Sequence, residues 1–277
     1  MNLLNVFWEI EKVDPEVYDR FDDRRKVIKN FGGFAGKVAL MAVPFAFGSM
    51  FKKAYGQTTT SVLDVLNYAL TLEYLESEFY TKAVAMAPFP DAISKQSFTT
   101  IRDHEVAHVT FLQTAIKGAG GMPVAKPTFD FSAGNGSGMG PFKDVFTNYD
   151  LLLAVSQAFE DTGVRAYKGQ AGNLMSNAAV LNAALRIHSV EARHASHIRK
   201  MRMDKGAPVK PWISGNDTGG IGAAVQAIYA GEENTKQATI EITNINGKTI
   251  SAAAASEAFD EPLTKDQVLA IVDPFIA

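Results

Sequence analysis

Two short motifs in this sequence pair a carboxylate with an imidazole three positions on: Glu105-Val106-Ala107-His108 and Glu191-Ala192-Arg193-His194. Chance spacing of these residue types gives fewer than one such motif in a chain of this composition. Residues three apart leave the same side of a helix, so each pair can present two donors to one metal ion. The neighbours set the direction. Glu105 and His108 share a stripe with Ile101, Phe111, Leu112 and Ala115, and Glu191 and His194 share one with Ala184, Ile187, Ile198 and Met201. If those stripes face a core, the motifs face it too. A buried carboxylate needs a cation or a proton, and a metal ion would supply the cation.

Two lone acids fit the same scheme. Glu73 lies on the stripe of Leu66, Ala69 and Leu70, and Glu160 on that of Leu153, Val164 and Tyr167. A tyrosine follows each seven residues later, Tyr80 and Tyr167. Glu105 follows Glu73 by 32 positions and Glu191 follows Glu160 by 31, and the two halves are offset by 87 and 86. The pattern predicts two helical hairpins whose six ligands, Glu73, Glu105, His108, Glu160, Glu191 and His194, meet in one pseudo-symmetric cluster. Four carboxylates and two imidazoles suit iron or manganese. Glu76, one turn beyond Glu73, either bridges or lies on the surface. His104, His188 and His197 serve either as packing residues or to orient the ligands. Tyr80 and Tyr167 read first as core tyrosines.

The elements that must position these groups are legible from breakers and caps. Helix one runs from about residue 60 to 86 and stops before Pro88 and Pro90. Asp91 caps helix two, which reaches about Lys117 and ends in Gly118, Gly120, Gly121 and Pro123. A Gly- and Pro-rich stretch to about Thr147 reads as a long connection. Helix three covers about 150–170, Gly172-Asn173 makes a turn, and helix four covers about 176–203, ended by Gly206 and Pro208. Beyond 207 the chain is mixed. Residues 238–243 alternate like a short strand, and Asn246-Gly247 is a turn signal. Thr264 with Gln267 forms a capping box for a last short helix, with Leu263 and Val268 as its staple.

Composition bounds the rest. The 277 residues carry no cysteine, which excludes disulfides, thiolate metal sites and cysteine nucleophiles within this sequence. A net charge of −3 argues against a large nucleic-acid footprint. No stretch offers about 18 charge-free apolar residues, the minimum for a confident membrane span. Arg24-Arg25 precede a weakly apolar run from Phe31 to Met50, interrupted by Lys37 and Pro44, and small residues follow at Ala54-Tyr55-Gly56. This resembles a twin-arginine export signal and gives a periplasmic or otherwise exported location as the expectation, with the cytoplasm as the alternative. The division expected is 1–56 as export signal or N-terminal extension, 57–206 as the bundle, and 207–277 as an extension packing on it.

At these residues the chain resembles the ferritin-like superfamily, whose di-iron and di-manganese members carry this ligand set. More narrowly it resembles bacterial ferritin-like proteins related to plant desiccation-associated proteins. The segments that carry the likeness are Leu66-Asn67-Tyr68-Ala69-Leu70-Thr71-Leu72-Glu73-Tyr74-Leu75-Glu76 and Ala258-Phe259-Asp260-Glu261-Pro262-Leu263. The resemblance implies an all-α fold: a ferritin-like four-helix bundle with a long helix 2–3 crossover, plus the mixed C-terminal extension. It implies two metal ions, iron first and manganese as the alternative, held by Glu73, Glu105, His108, Glu160, Glu191 and His194 as metal ligands and catalytic residues. Oxidation of Fe(II), or reduction of O2 or peroxide in stress defence, is the expected activity. A di-manganese catalase and a non-catalytic desiccation protein are the alternatives. The partners expected are the metal ions, O2 or peroxide, an external electron donor, and a second copy of the chain in a homo-oligomer. Rubrerythrin-type relatives carry a Cys-ligated iron, which a chain without cysteine cannot hold.

Overall fold

The computed structural model describes residues 59–277, so the Arg24-Arg25 segment lies outside the described residues. Four long helices dominate: α1 Thr59–Met86, α2 Ala92–Gly118, α3 Tyr149–Ala171 and α4 Ala178–Asp204. Side-chain caps start three of them, the one at Asp91 as expected. The Asp91 side chain accepts from the Ser94 amide, and Asn148 and Asn177 cap α3 and α4 in the same manner. A single 3₁₀ turn, Gly172–Leu174, joins α3 to α4. α1 packs mainly on α2 and α3 on α4, giving two hairpins linked by the crossover 119–148. Among the described residues no helix is long and apolar enough to cross a membrane.

The crossover has no helix but is firmly tied. The Asp130 carboxylate accepts from the amides of Ser132, Gly136 and Gly138 at 2.9–3.0 Å. The chain end zips onto it: Asp130 N donates to Phe275 O at 2.8 Å, and Ala277 N donates to Thr128 O at 2.9 Å. Phe131 and Phe79 from the two sides pack ring to ring, and Phe275 meets Phe142 and Phe159.

The remaining elements lie in the C-terminal extension: α5 Gln226–Tyr229, α6 Ala252–Ser256 and α7 Lys265–Val272, with strands β1 Lys236–Gln237, β2 Ile240–Glu241, β3 Asn244–Ile245 and β4 Lys248–Thr249. α7 starts on the expected Thr264–Gln267 capping box, with Leu263 and Val268 both buried. The strand expected over 238–243 is different. β1–β2 and β3–β4 are two successive hairpins of eight residues each, closed by Ile242 N to Thr235 O (2.9 Å) and Ile250 N to Thr243 O (2.8 Å). Asn246-Gly247 turns the second, as expected. Ala238-Thr239 turns the first with φ of 47° and 74°, although neither residue favours that region.

The extension covers the outer face of α3, and this is why α3 is buried from Leu152 through Tyr167. Arg165 reaches out of α3 to the carbonyls of Ile228, Ala230 and Glu261 and pairs with Glu232 at 2.7 Å. Asp161 pairs with Arg199 at 2.6 Å and accepts from the Tyr229 hydroxyl at 2.8 Å. Gly169 lets the tail approach: a Cβ there would stand 1.9 Å from Leu263 O.

Candidate metal centre

The inner faces of the four helices meet where the sequence places Glu73 (α1), Glu105 and His108 (α2), Glu160 (α3), and Glu191 and His194 (α4). All six are buried, the four carboxylates completely. They form two overlapping groups able to hold an ion, Glu73–Glu105–His108–Glu191 and Glu105–Glu160–Glu191–His194.

Distances sort the oxygens. His108 Nδ1 lies 3.2 Å from Glu73 Oε2, 3.3 Å from Glu105 Oε2 and 3.1 Å from Glu191 Oε1. His194 Nδ1 lies 2.9 Å from Glu105 Oε1, 3.4 Å from Glu160 Oε2 and 3.8 Å from Glu191 Oε2. Glu105 and Glu191 thus offer one oxygen to each imidazole, while Glu73 and Glu160 each serve one. Donors at right angles on an ion with bonds of about 2.1 Å stand about 3.0 Å apart. The observed spacings cluster there.

The hydrogen-bond geometry supports the same fit. His108 Nδ1 is hydrogen-bonded to Glu73 Oε2 and Glu105 Oε2, but His194 Nδ1, Glu105 Oε1, Glu160 Oε2 and both Glu191 oxygens are buried without a hydrogen-bond partner, despite lying near one another. Unmade hydrogen bonds at buried polar atoms are costly, and five at one point call for a ligand. Two divalent cations fit this donor set.

The surroundings hold the lone acids. Tyr80 of α1 donates to Glu160 Oε1 of α3 at 2.5 Å, and Tyr167 of α3 donates to Glu73 Oε1 of α1. The tyrosines read as core residues therefore brace the acids crosswise. Their seven-residue spacing was the signal. His104 stacks on His194, with its Nδ1 2.9 Å from His194 Nε2, which leaves Nδ1 of His194 to the cluster. His197 meets Ser97 instead, at 3.0 Å, and His188 Nε2 is buried without a hydrogen-bond partner among the described residues. Glu76 is buried beside the cluster, not on the surface.

Burial and mutual charge shift the titration of these groups. Burial pushes Glu105 and Glu76 above the usual carboxylate range, and neighbouring glutamates push further. Burial alone would lower His108 and His194, but the surrounding carboxylates overcome it and hold both well above the ordinary imidazole value. Burial would raise Glu191, yet the two imidazoles bring it down to about 2.

No curated protein matches the chain. Residues 61–204, more than half of it, match the model of the ferritin-like domain, and that stretch contains all six clustered residues and all but the first two residues of the four long helices. The chain belongs to the ferritin-like domain family.

Proposed function

We propose that this chain is a di-metal carboxylate protein, with iron as the resident pair, that oxidises Fe(II) or reduces O2 or peroxide in stress defence. One observation carries the reading: two buried imidazoles, each facing its own carboxylate, share Glu105 and Glu191 between them. Glu73 and His108 would hold one ion, Glu160 and His194 the other, and Glu105 and Glu191 would span both. When bound, an iron pair supplies two electrons to one oxidant, one from each ion. The protein's part is positional. Tyr80 and Tyr167 fix the outer oxygens of Glu160 and Glu73. His104 fixes the ring of His194. Burial of all six donors keeps bulk water from the pair. Without cysteine the chain has no thiolate carrier of its own, so electrons come from the substrate metal or an external donor. The narrower likeness to desiccation-associated proteins is what directs the proposal to stress defence.

The test is metal analysis of protein purified from its native compartment, followed by Fe(II) oxidation by wild type and Glu105→Ala. About two iron ions per chain, and loss of both metal and oxidation in the variant, are expected. Absence of stoichiometric metal, or equal oxidation by the two proteins, refutes the reading. Manganese with O2 release from peroxide would replace it with a catalase, and bound metal that only raises the melting temperature would replace it with a structural role.

A further inference from the structure

One turn from the donor cluster the bundle core is not filled. Ala69 of α1, Leu112 of α2 and Ile187 of α4 each stand four residues from a donor: Glu73, His108 and Glu191 respectively. On a helix that is about one turn, and in all three it leads toward the end closed by the Gly172–Leu174 turn. Together with Leu174 and with Tyr167 of α3 they line a cavity of about 20 Å³. A water-sized guest needs about 10–15 Å³, so the cavity admits one small molecule. Small side chains leave the room, since Ala69, Ala166, Ala183 and Ala184 all belong to the lining. Tyr167 joins the cavity to the cluster: it borders the one, and its hydroxyl donates to Glu73 in the other.

The wall is apolar throughout. The Tyr167 hydroxyl is turned to Glu73, and Gln170 Oε1 accepts from Asn173 at 3.0 Å. The Tyr68 hydroxyl, buried without a partner among the described residues, forms no part of the wall. A buried water makes about two to four hydrogen bonds, and an apolar cavity that offers none stays dry. Hydrogen peroxide, with a hydroxyl at each end, has the same needs, and burying it unbonded is costly. O2 has no donor and no dipole, and it enters apolar space from water without that cost. The opening is set by exposure. Val65 and Phe111 on the first hairpin and Ala183 and Ala184 on the second are half-buried, and the rest of the lining is buried. The cavity therefore opens in the seam between the hairpins.

Resting on the di-metal reading above, we infer that this cavity is the port through which O2 reaches the donor cluster, and that the oxidant it admits is O2 and not peroxide. O2 enters at Ala183 and Ala184, rests against Leu112 and Ile187, and stands one turn from the donors. A polar oxidant finds no partner along this route. The cavity's part is access and selection, so filling it slows oxidation by O2 without touching a donor.

Dissolved O2 is paramagnetic and broadens the methyl resonances it visits, so it reports its own position without metal or turnover. In the metal-free full chain the methyls of Leu112 and Ile187 should broaden under O2, while those of Leu152 and Ile198, buried toward the other end of the bundle, should not. Ala184→Leu, at the opening, should abolish the broadening. In Fe(II)-loaded protein the same change should slow oxidation by O2, relative to oxidation by peroxide, by about tenfold or more, the scale on which a filled core resists an added guest. Bound metal should stay at the wild-type level. Ala183→Leu, also at the opening, carries the test if Ala184→Leu melts abnormally without metal. No selective broadening in wild type, equal slowing with both oxidants, or no slowing in a variant that has lost the broadening overturns the inference and leaves the di-metal reading standing. No metal uptake by wild type overturns both.

Discussion

Replacing Arg165 with methionine probes how far the C-terminal extension depends on one side chain. Arg165 is about 1% exposed and holds three segments of the extension at once: its guanidinium donates to the carbonyls of Ile228, Ala230 and Glu261, and it faces Glu232 at 2.7 Å. Methionine keeps the length and removes every donor. Three carbonyls lose their partner, and Glu232, also about 1% exposed, is left with only the Glu261 amide at 2.7 Å. Removing one member of a buried ion pair costs about 3–5 kcal/mol. Part of that is recoverable by protonation, because burial already raises Glu232 to about 7 even with Arg165 nearby. The sign follows. Below that value the orphaned acid takes a proton and the loss stays near the lower figure, and the loss grows as pH rises above it. Urea unfolding at pH 6 and pH 8 measures both, and hydrogen exchange over residues 226–263 locates the loosened segment. Arg165→Met with Glu232→Leu should recover part of the loss by removing the stranded charge. A single variant within about 1 kcal/mol of wild type at pH 8, or a double variant no better than the single, would refute the reasoning.

Gly169→Ala drives a Cβ to 1.9 Å from Leu263 O, and it should destabilise by about 3 kcal/mol in the same unfolding assay. Thr239→Gly relieves a β-branched residue at φ 74° and should slow amide exchange at Ile242, which closes that hairpin; unchanged or faster exchange contradicts it. Because His108 and His194 are held protonated without metal and must be neutral to bind it, metal uptake should release about two protons or more per chain and tighten as pH rises, measured calorimetrically in buffers of different ionisation enthalpy. The same raised imidazoles stabilise the metal-free fold fully below about pH 6.5 and lose that contribution as pH climbs through their folded values, so its melting temperature should fall toward alkaline pH.

The inner half of this molecule was legible because it obeys a period. Glu73, Glu105, Glu160 and Glu191 each lie on an apolar stripe, and a buried stripe carries its acids inward with it. The caps at Asp91 and Thr264 were equally readable, since each rests on a side chain three residues from its partner. The outer half was not. Asp161 and Arg165 lie off the stripe of Leu153, Glu160, Val164 and Tyr167, and they are buried under residues up to about 100 positions away in the chain. No local pattern marks a polar face that will find polar partners from a distant tail. Ala238-Thr239 failed for another reason: the turn is imposed by the paired strands and not by residues that prefer it. Glu76 was half legible: one turn from Glu73 it could face the core or the solvent, and it is buried.

The two halves meet in α3. Glu160 points into the donor cluster and Asp161, the next residue, points into the network of Arg199 and Tyr229. Tyr167 braces Glu73 on the inside, while Arg165 and the carbonyl of that residue hold the tail on the outside, Leu263 N donating to it at 3.1 Å. α3 is therefore clamped along most of its length by polar contacts on both faces. A helix buried on one face only could slide or roll by a fraction of an ångström at little cost. One clamped on both has few ways to move, and donors that must stand about 3 Å apart tolerate little movement. On this argument the extension is part of the support of the cluster, and the unsatisfied oxygens of Glu160 and Glu191 stay unsatisfied because the helices that carry them are not free to rearrange around one another.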